Sequence, residues 1–281
     1  MKLWKMNTGR PWAALLLALA LITVAGCGQA GNESEPEGKA VEEITLKVAS
    51  LIPPMTDVLE MVKPALQEEG ILLEVVILSD NIQPNHALAN KEVDANFFQH
   101  APYMEDYNKN NDAELVSVQP IYNAVYGAYS KRYDSIEELP EGAVIAVPND
   151  PSNIGRSLVM LEQHGMIKLK EGVGIQATVG DVVDNPKGYE FEEVDLLMLA
   201  RTLDDVDLVT MTPAYAKPLG LTPKKDALIT EGKDSEFAIT LVAREDNKDS
   251  EAIQKLAQVM TGPDVRAFFE ENYAEIAIPA F

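Results

Sequence analysis

From Ile44 onward, short unbroken apolar runs alternate with stretches whose apolar residues recur at every third or fourth place. Residues 46–50 and 72–78 are runs of the first kind, rich in aliphatic and β-branched side chains that suit buried strands. Between them Val58, Leu59, Val62, Ala65 and Leu66 keep the helical period, and Gly70 supplies a stop. The alternation repeats with a strand over 93–98, a helix from Ala101 and a strand-rich stretch over 115–130. A second series opens with a strand over 143–147. It feeds a helix with Asp150 as N-cap, Pro151 in its first turn and Gly165 past its end. Strands over 190–194, 207–211 and 237–245 follow, and two amphipathic helices, from Ser250 and from Pro263, finish the chain.

Strands alternating with helices predict an α/β fold of layered, mostly parallel sheets flanked by helices. The long strand stretches at 115–130 and 237–245 bracket a middle block that has βα units of its own. Two lobes follow: residues 45–124 with 240–281 form the first and residues 125–239 the second, joined by two hinge crossings. Such an arrangement places a ligand between the carboxyl ends of two sets of strands.

The segment ahead of the fold has a different composition. Lys2, Lys5 and Arg10 precede an apolar run over 13–22, which ends in Val24-Ala25-Gly26-Cys27. The run is shorter than the roughly 20 residues that span a bilayer, and basic, apolar, small is the order of a secretory signal over 1–26. A buried core helix is the alternative. "VAGC" resembles the bacterial lipobox, which makes Cys27 the lipidated first residue of the mature chain. Cys27 is the only cysteine, so no intramolecular disulfide can form. Residues 27–44 read as a tether with too little apolar surface to order. Removing the signal takes three of the 23 basic residues and leaves 20 against 45 acidic ones, a net charge of −25. That surface repels phosphate backbones and anionic headgroups, which argues against nucleic-acid binding and leaves the lipid as the membrane contact.

Chemistry-bearing motifs are few. Phosphate loops, Gly-x-Ser-x-Gly elbows and His-Glu-x-x-His patterns do not occur, so no enzyme is expected, and neither a cofactor nor a metal. His86, His100 and His164 are dispersed; a zinc site from His86, His100 and a carboxylate is the one metal reading they allow. Asp204, Asp205 and Asp207 read as a solvated turn. Two stretches remain. "VDANFFQHAPYM" (93–104) crowds two phenylalanines, a histidine and a tyrosine into an aromatic-poor chain. "PNDPSNIGRSL" (148–158) puts Asn153 and Arg156 on one face near a helix start, where amides, dipole and guanidinium fork all suit a carboxylate. An ordinary ion pair for Arg156 is the alternative.

These stretches, with "SDNIQPNHAL", "DVVDNP", "RTLDDVDLV" and "GLTPKKDALITE", resemble the NlpA/MetQ-type lipoproteins, the substrate-binding subunits of methionine ABC importers, over 46–279. The resemblance implies a type II-like, two-lobed periplasmic-binding-protein fold. It also implies a monomer on the extracytoplasmic face of the membrane that hands a small ligand to an ABC permease and ATPase. It places the thioether pocket on Phe98, His100 and Tyr103, with His100 or the tyrosine hydroxyl reaching a polar group. The carboxylate-binding arginine falls on Arg156, with Asn153 beside it. Where the family reads Asn-Thr-Asn-Tyr-Ala, this chain has Thr212, Ala214 and the retained Tyr215. Where the family reads Pro-Tyr-Ala-Asn, it has Ile239 in place of the asparagine. The expected ligand is methionine or a related carboxylate with an apolar tail. A ligand sensor or adhesin lipoprotein without a transporter is the other function this sequence allows.

Overall fold

The computed structural model describes residues 43–232 and 235–281. The expected signal, Cys27 and nearly all of the tether lie outside them.

The chain first lays down β1 (Ile44–Ser50), α1 (Met55–Glu68), β2 (Ile71–Ile77), α2 (Gln83–Ala89), β3 (Ala95–His100), α3 (Ala101–Asn111) and β4 (Leu115–Ala124). It then builds β5 (Gly127–Tyr129), β6 (Val144–Pro148), α4 (Pro151–Gln163), β7 (Lys168–Leu169), β8 (Val182–Asp184), β9 (Glu190–Val194), α5 (Leu199–Thr202) and β10 (Leu208–Met211). Short helices α6 (Pro213–Ala216) and α7 (Pro223–Asp226) lead to β11 (Ala227–Thr230). The chain closes with β12 (Ala238–Arg244), α8 (Glu251–Met260), α9 (Pro263–Asn272) and β13 (Ala277–Pro279).

Two main sheets result. One has the order β13-β4-β12-β3-β1-β2 and the other β11-β5-β10-β6-β9; β7 and β8 form a small hairpin. The long strand stretch expected over 115–130 is two strands, β4 and β5, in different sheets. The sheets are also mixed rather than mostly parallel. β1 runs parallel to β2 and β3, and β6 parallel to β9 and β10. The strands that enter or leave at the crossings break this pattern: β12 is antiparallel to β3 and β4, and β5 is antiparallel to β10 and β11. The reason is connectivity. A chain that crosses out of one sheet and returns beside its own exit comes back antiparallel. The pairs β4–β12 and β5–β11 therefore bring both crossings side by side, at 125–126 and 231–237.

Each sheet buries both faces. On the first, α1, α8 and α9 supply Val58, Leu59, Val62, Leu66, Ile253, Leu256 and Phe269 to one core, while Leu88 and Met104 from α2 and α3 pack on the other side. The second sheet takes Ile154, Leu158 and Leu161 of α4 on one face and Leu199, Leu203 and Ala216 on the other. Double coverage explains why all six residues of β3 are buried, polar Asn96, Gln99 and His100 included. Buried polar groups need partners. Asn96 and Gln99 find theirs in Asn85 of α2, with Asn85 Nδ2 donating to Gln99 Oε1 at 2.8 Å and Asn96 Nδ2 to Asn85 Oδ1 at 2.9 Å.

Candidate functional site

A cavity between the two sheets is lined by Met55, Phe98, His100, Tyr103, Tyr122 and Ile239 of the first and by Asn153, Arg156, Thr212, Ala214 and Tyr215 of the second, with Asn81, Gln99 and Leu196 completing it. All eight residues expected from the sequence are therefore brought together. Met55, Asn81, Gln99, Tyr122 and Leu196 were not anticipated. The open space among them is about 50 Å³, room for one or two waters. Small-molecule pockets enclose roughly 300 Å³ or more, so an amino-acid-sized ligand enters only when the walls part.

The first sheet presents its wall in register. Ile239 of β12 pairs with His100 of β3 on one side and Tyr122 of β4 on the other. The neighbouring phenylalanines separate: Phe98 lines the cavity, while Phe97 is wholly buried edge-on to Tyr122, with ring centroids 6.2 Å apart. Phe98 and His100 both meet the Tyr103 ring edge-on, at 5.9 and 6.2 Å. The aromatic cluster of residues 93–104 thus serves as both core and cavity wall.

His100 caps α3, its Nδ1 accepting from the Tyr103 amide at 3.2 Å. An accepting Nδ1 leaves the proton on Nε2, which donates to Asn153 Oδ1 at 3.0 Å across the two lobes. Burial, and then the nearby Arg156 charge, push the His100 pKa down to about 3. The imidazole is neutral, and both of its nitrogens have protein partners in this structure. Tyr103 Oη donates to the Asn81 carbonyl at 3.1 Å and Tyr215 Oη to Asn81 Oδ1 at 3.4 Å. Burial pushes the Tyr215 phenol up to about 12 and raises Tyr103 and Tyr122 further, so all three are neutral donors.

The start of α4 also differs from expectation. Its amides do meet an anion, and that anion is the N-cap itself: Asp150 Oδ1 accepts from the Asn153 amide and side chain, both at 3.0 Å. Arg156 is 3% exposed. Its fork is occupied by Glu231, which receives Nε at 2.8 Å and Nη2 alongside it; Nη2 also donates to the Ala124 carbonyl at 3.0 Å. The ion-pair alternative therefore describes the fork as it stands. Among the described residues, only Nη1 of the guanidinium has no partner. The Tyr126 and Phe237 rings cover the group at 4.4 and 4.6 Å.

The remaining candidates resolve as structural. His86 sits edge-on to Tyr107 with Nδ1 3.1 Å from its hydroxyl, and no cluster suited to a metal occurs among the described residues. Asp204 pairs with Lys131 at 2.7 Å, and Asp207 with Arg132 at 2.9 Å.

Comparison with known proteins places the chain in a family. The profile of the NlpA lipoprotein family matches residues 46–281. The chain belongs to the NlpA lipoprotein family. Among curated relatives, the D-methionine-binding lipoprotein MetQ of Escherichia coli K12 is 39% identical over 265 residues, 93% of each chain. A nutrient-binding protein from Burkholderia cenocepacia, solved bound to methionine, superposes with a TM-score of 0.81 at 37% identity and covers 84% of this chain and all of its own. A periplasmic substrate-binding protein of an ABC transporter from Coxiella burnetii gives 0.80 at 38% identity over the same share. This NlpA-family chain has the two-lobed fold of periplasmic substrate-binding proteins.

Proposed function

We propose that this NlpA lipoprotein is the solute-binding subunit of an ABC importer, held to the outer face of the cell membrane by lipid on Cys27. It closes on methionine or a related small carboxylate with an apolar tail and passes the ligand to a permease and ATPase. The observation that carries this reading is the cavity between the lobes, walled by Phe98, Tyr103, Tyr122 and Ile239 and closed by Arg156. Its walls come from both sheets, so filling it couples ligand to lobe closure. Aromatic and aliphatic walls hold a thioether by dispersion and sulfur–ring contact, and Arg156 lines the same cavity with Nη1 left for a carboxylate.

Native mass spectrometry of the purified protein, followed by calorimetry with the released ligand, tests this reading. A bound carboxylate of about amino-acid size, and a smaller radius of gyration by X-ray scattering when it is saturated, are the expected results. A co-purifying sugar, metal or nucleotide, or no change in dimensions with a tightly bound ligand, overturns it.

A further inference from the structure

Resting on the ligand-driven closure proposed above, we infer that two side-chain contacts outside the ligand cavity latch the lobes in the closed form: Lys217 on Tyr273 and Lys225 on Glu275. None of the four residues lines the cavity between the sheets, so the latch favours closure without touching the ligand.

Each contact joins one lobe to the other. Lys217 directly follows α6 and Lys225 lies in α7, short helices of the lobe built on the second sheet. Tyr273 and Glu275 belong to the turn between α9 and β13, on the first. Lys217 Nζ stands 4.0 Å from the centroid of the Tyr273 ring, well within the reach of a cation–π contact. Lys225 Nζ lies 2.9 Å from one Glu275 oxygen and 3.1 Å from the other. The turn is held firmly in its own lobe. Tyr273 is 6% exposed, its hydroxyl donates to Asp57 Oδ2 in the first turn of α1, and Phe268 packs on its ring at 5.8 Å. The two lysines are exposed and reach across to it.

What they cross is a seam rather than a packed interface. Lys217 and Tyr273 both line two cavities, one of about 950 Å³ shared with Ile52, Leu197 and Arg201, the other of about 240 Å³ shared with Thr222 and Glu275. With open space on either side, the lobes meet here through long side chains. Among the described residues no backbone hydrogen bond joins 213–226 to 273–276, and Lys225 to Glu275 is the only side-chain bond that does. The contact distances therefore follow the angle between the lobes. Charge across the seam is complementary as well. Residues 212–225 carry Lys217, Lys224 and Lys225 and no acid, while 270–275 carry Glu270, Glu271 and Glu275 and no base. A contact made in only one of two states shifts their populations by its own free energy, wherever the ligand sits.

Spin labels on the two lobes test the latch. Ile82→Cys and Met198→Cys, at positions 62% and 42% exposed, supply the only thiols in a Cys27→Ala chain. Pulsed EPR distances are then measured without ligand and with L-methionine, in that protein and with Lys217→Met, Glu275→Gln, Lys225→Glu or the swapped pair Lys225→Glu with Glu275→Lys. Each single change should lower the closed-to-open ratio by about two- to fivefold, the size of an exposed cation–π contact or ion pair. Affinity for L-methionine should fall by the same factor through faster release, the swapped pair should restore both, and high salt should reproduce the Glu275→Gln change. The altered side chains lie at the surface, so melting temperatures should stay near the parent's and exclude misfolding as the cause. Distances and affinity unchanged in every variant, or a swapped pair that fails to rescue, overturns the latch and leaves the proposed function standing. If L-methionine leaves the parent's distances unchanged, closure on methionine falls, and the ligand-free distances alone decide the latch.

Discussion

Glu231 places its carboxylate on the Arg156 guanidinium, and through that pair Arg156 touches both crossings between the lobes at once. Ala124 ends β4 at the first crossing and Tyr126 lies in it, Glu231 and Phe237 belong to the second, and all four contact the same guanidinium. The Glu231 carboxylate also accepts from the Tyr126 amide at 3.2 Å, which ties the crossings to each other directly. A ligand that engages Nη1 therefore reaches the connection between the lobes through a single side chain.

Loss of Glu231 should be costly. Breaking a buried pair by removing one partner leaves an uncompensated charge, at about 3–5 kcal/mol. Glu231→Gln keeps the shape and removes the charge, so its unfolding free energy should fall by that amount, read as a lower denaturation midpoint at constant m-value. Saturation with a carboxylate ligand should stabilise the variant more than the parent, since the ligand then supplies the missing negative charge. A variant within about 1 kcal/mol of wild type would show that the pair is stabilised little beyond water.

His100 gives the fold an acid sensitivity of known sign. Its folded pKa lies near 3 against 6.5 in the unfolded chain, so the unfolded state binds more protons between those values. Stability from the neutral ring is complete above pH 6.5 and is lost as pH falls toward 3. One group in that window contributes a slope of about 1.4 kcal/mol per pH unit, or about 2 kcal/mol between pH 6.5 and 5. Urea titrations at those two pH values should show that loss in the parent and a much smaller one in His100→Gln.

Gly155 lets α4 lie against the turn that carries Ile175. A Cβ there would stand 2.0 Å from the Ile175 carbonyl oxygen, which belongs to backbone and cannot swing aside. Gly155→Ala raises helix propensity by roughly 1 kcal/mol, yet overpacking costs typically 1–3 kcal/mol and displaces α4. We expect net destabilisation together with weaker ligand binding, because α4 carries Asn153 and Arg156. A thermal melt and a binding isotherm on this one variant check both.

Much of this was legible in the sequence, and the parts that were not share a cause. The strand runs, the Asp150 cap and the aromatic cluster are local, and local periodicity and capping chemistry report them. Where polar partners come from is not local. Glu231 lies 75 residues from Arg156, and Asn153 meets His100 across 53 residues. Nothing in "PNDPSNIGRSL" tells a fork awaiting a ligand from one already filled. Tyr122 sits in an apolar strand whose neighbours Ile121 and Ala124 are buried in the core, so its free hydroxyl emerges only from the register that sets it beside Ile239. The need for glycine at 155 is not local either, since the turn at Gly174–Gln176 that packs against it lies about 20 residues on.

The anchor can be tested without the fold. Cys27 follows a short apolar run and is the only cysteine, so Cys27→Ala should release the protein into the soluble fraction of cells. Retention on membranes after a high-salt wash would mean that another segment holds it.

Tyr122→Phe isolates the polar end of the cavity. The ring packs against Phe97 and Phe269, at 6.2 and 5.1 Å, and phenylalanine preserves both contacts. The hydroxyl has no partner among the described residues, so its removal strands no other group, and stability should change by less than about 0.5 kcal/mol. Ligand binding should respond differently. A hydrogen bond to a charged group contributes about 1.5–3 kcal/mol, which corresponds to a loss of roughly ten- to a hundredfold in affinity for a carboxylate. The corresponding neutral amide, lacking the charge, should lose less than tenfold. If Tyr122→Phe binds the acid as wild type does, the hydroxyl does not touch the carboxylate, and Arg156 Nη1 and Thr212 hold that end of the ligand alone.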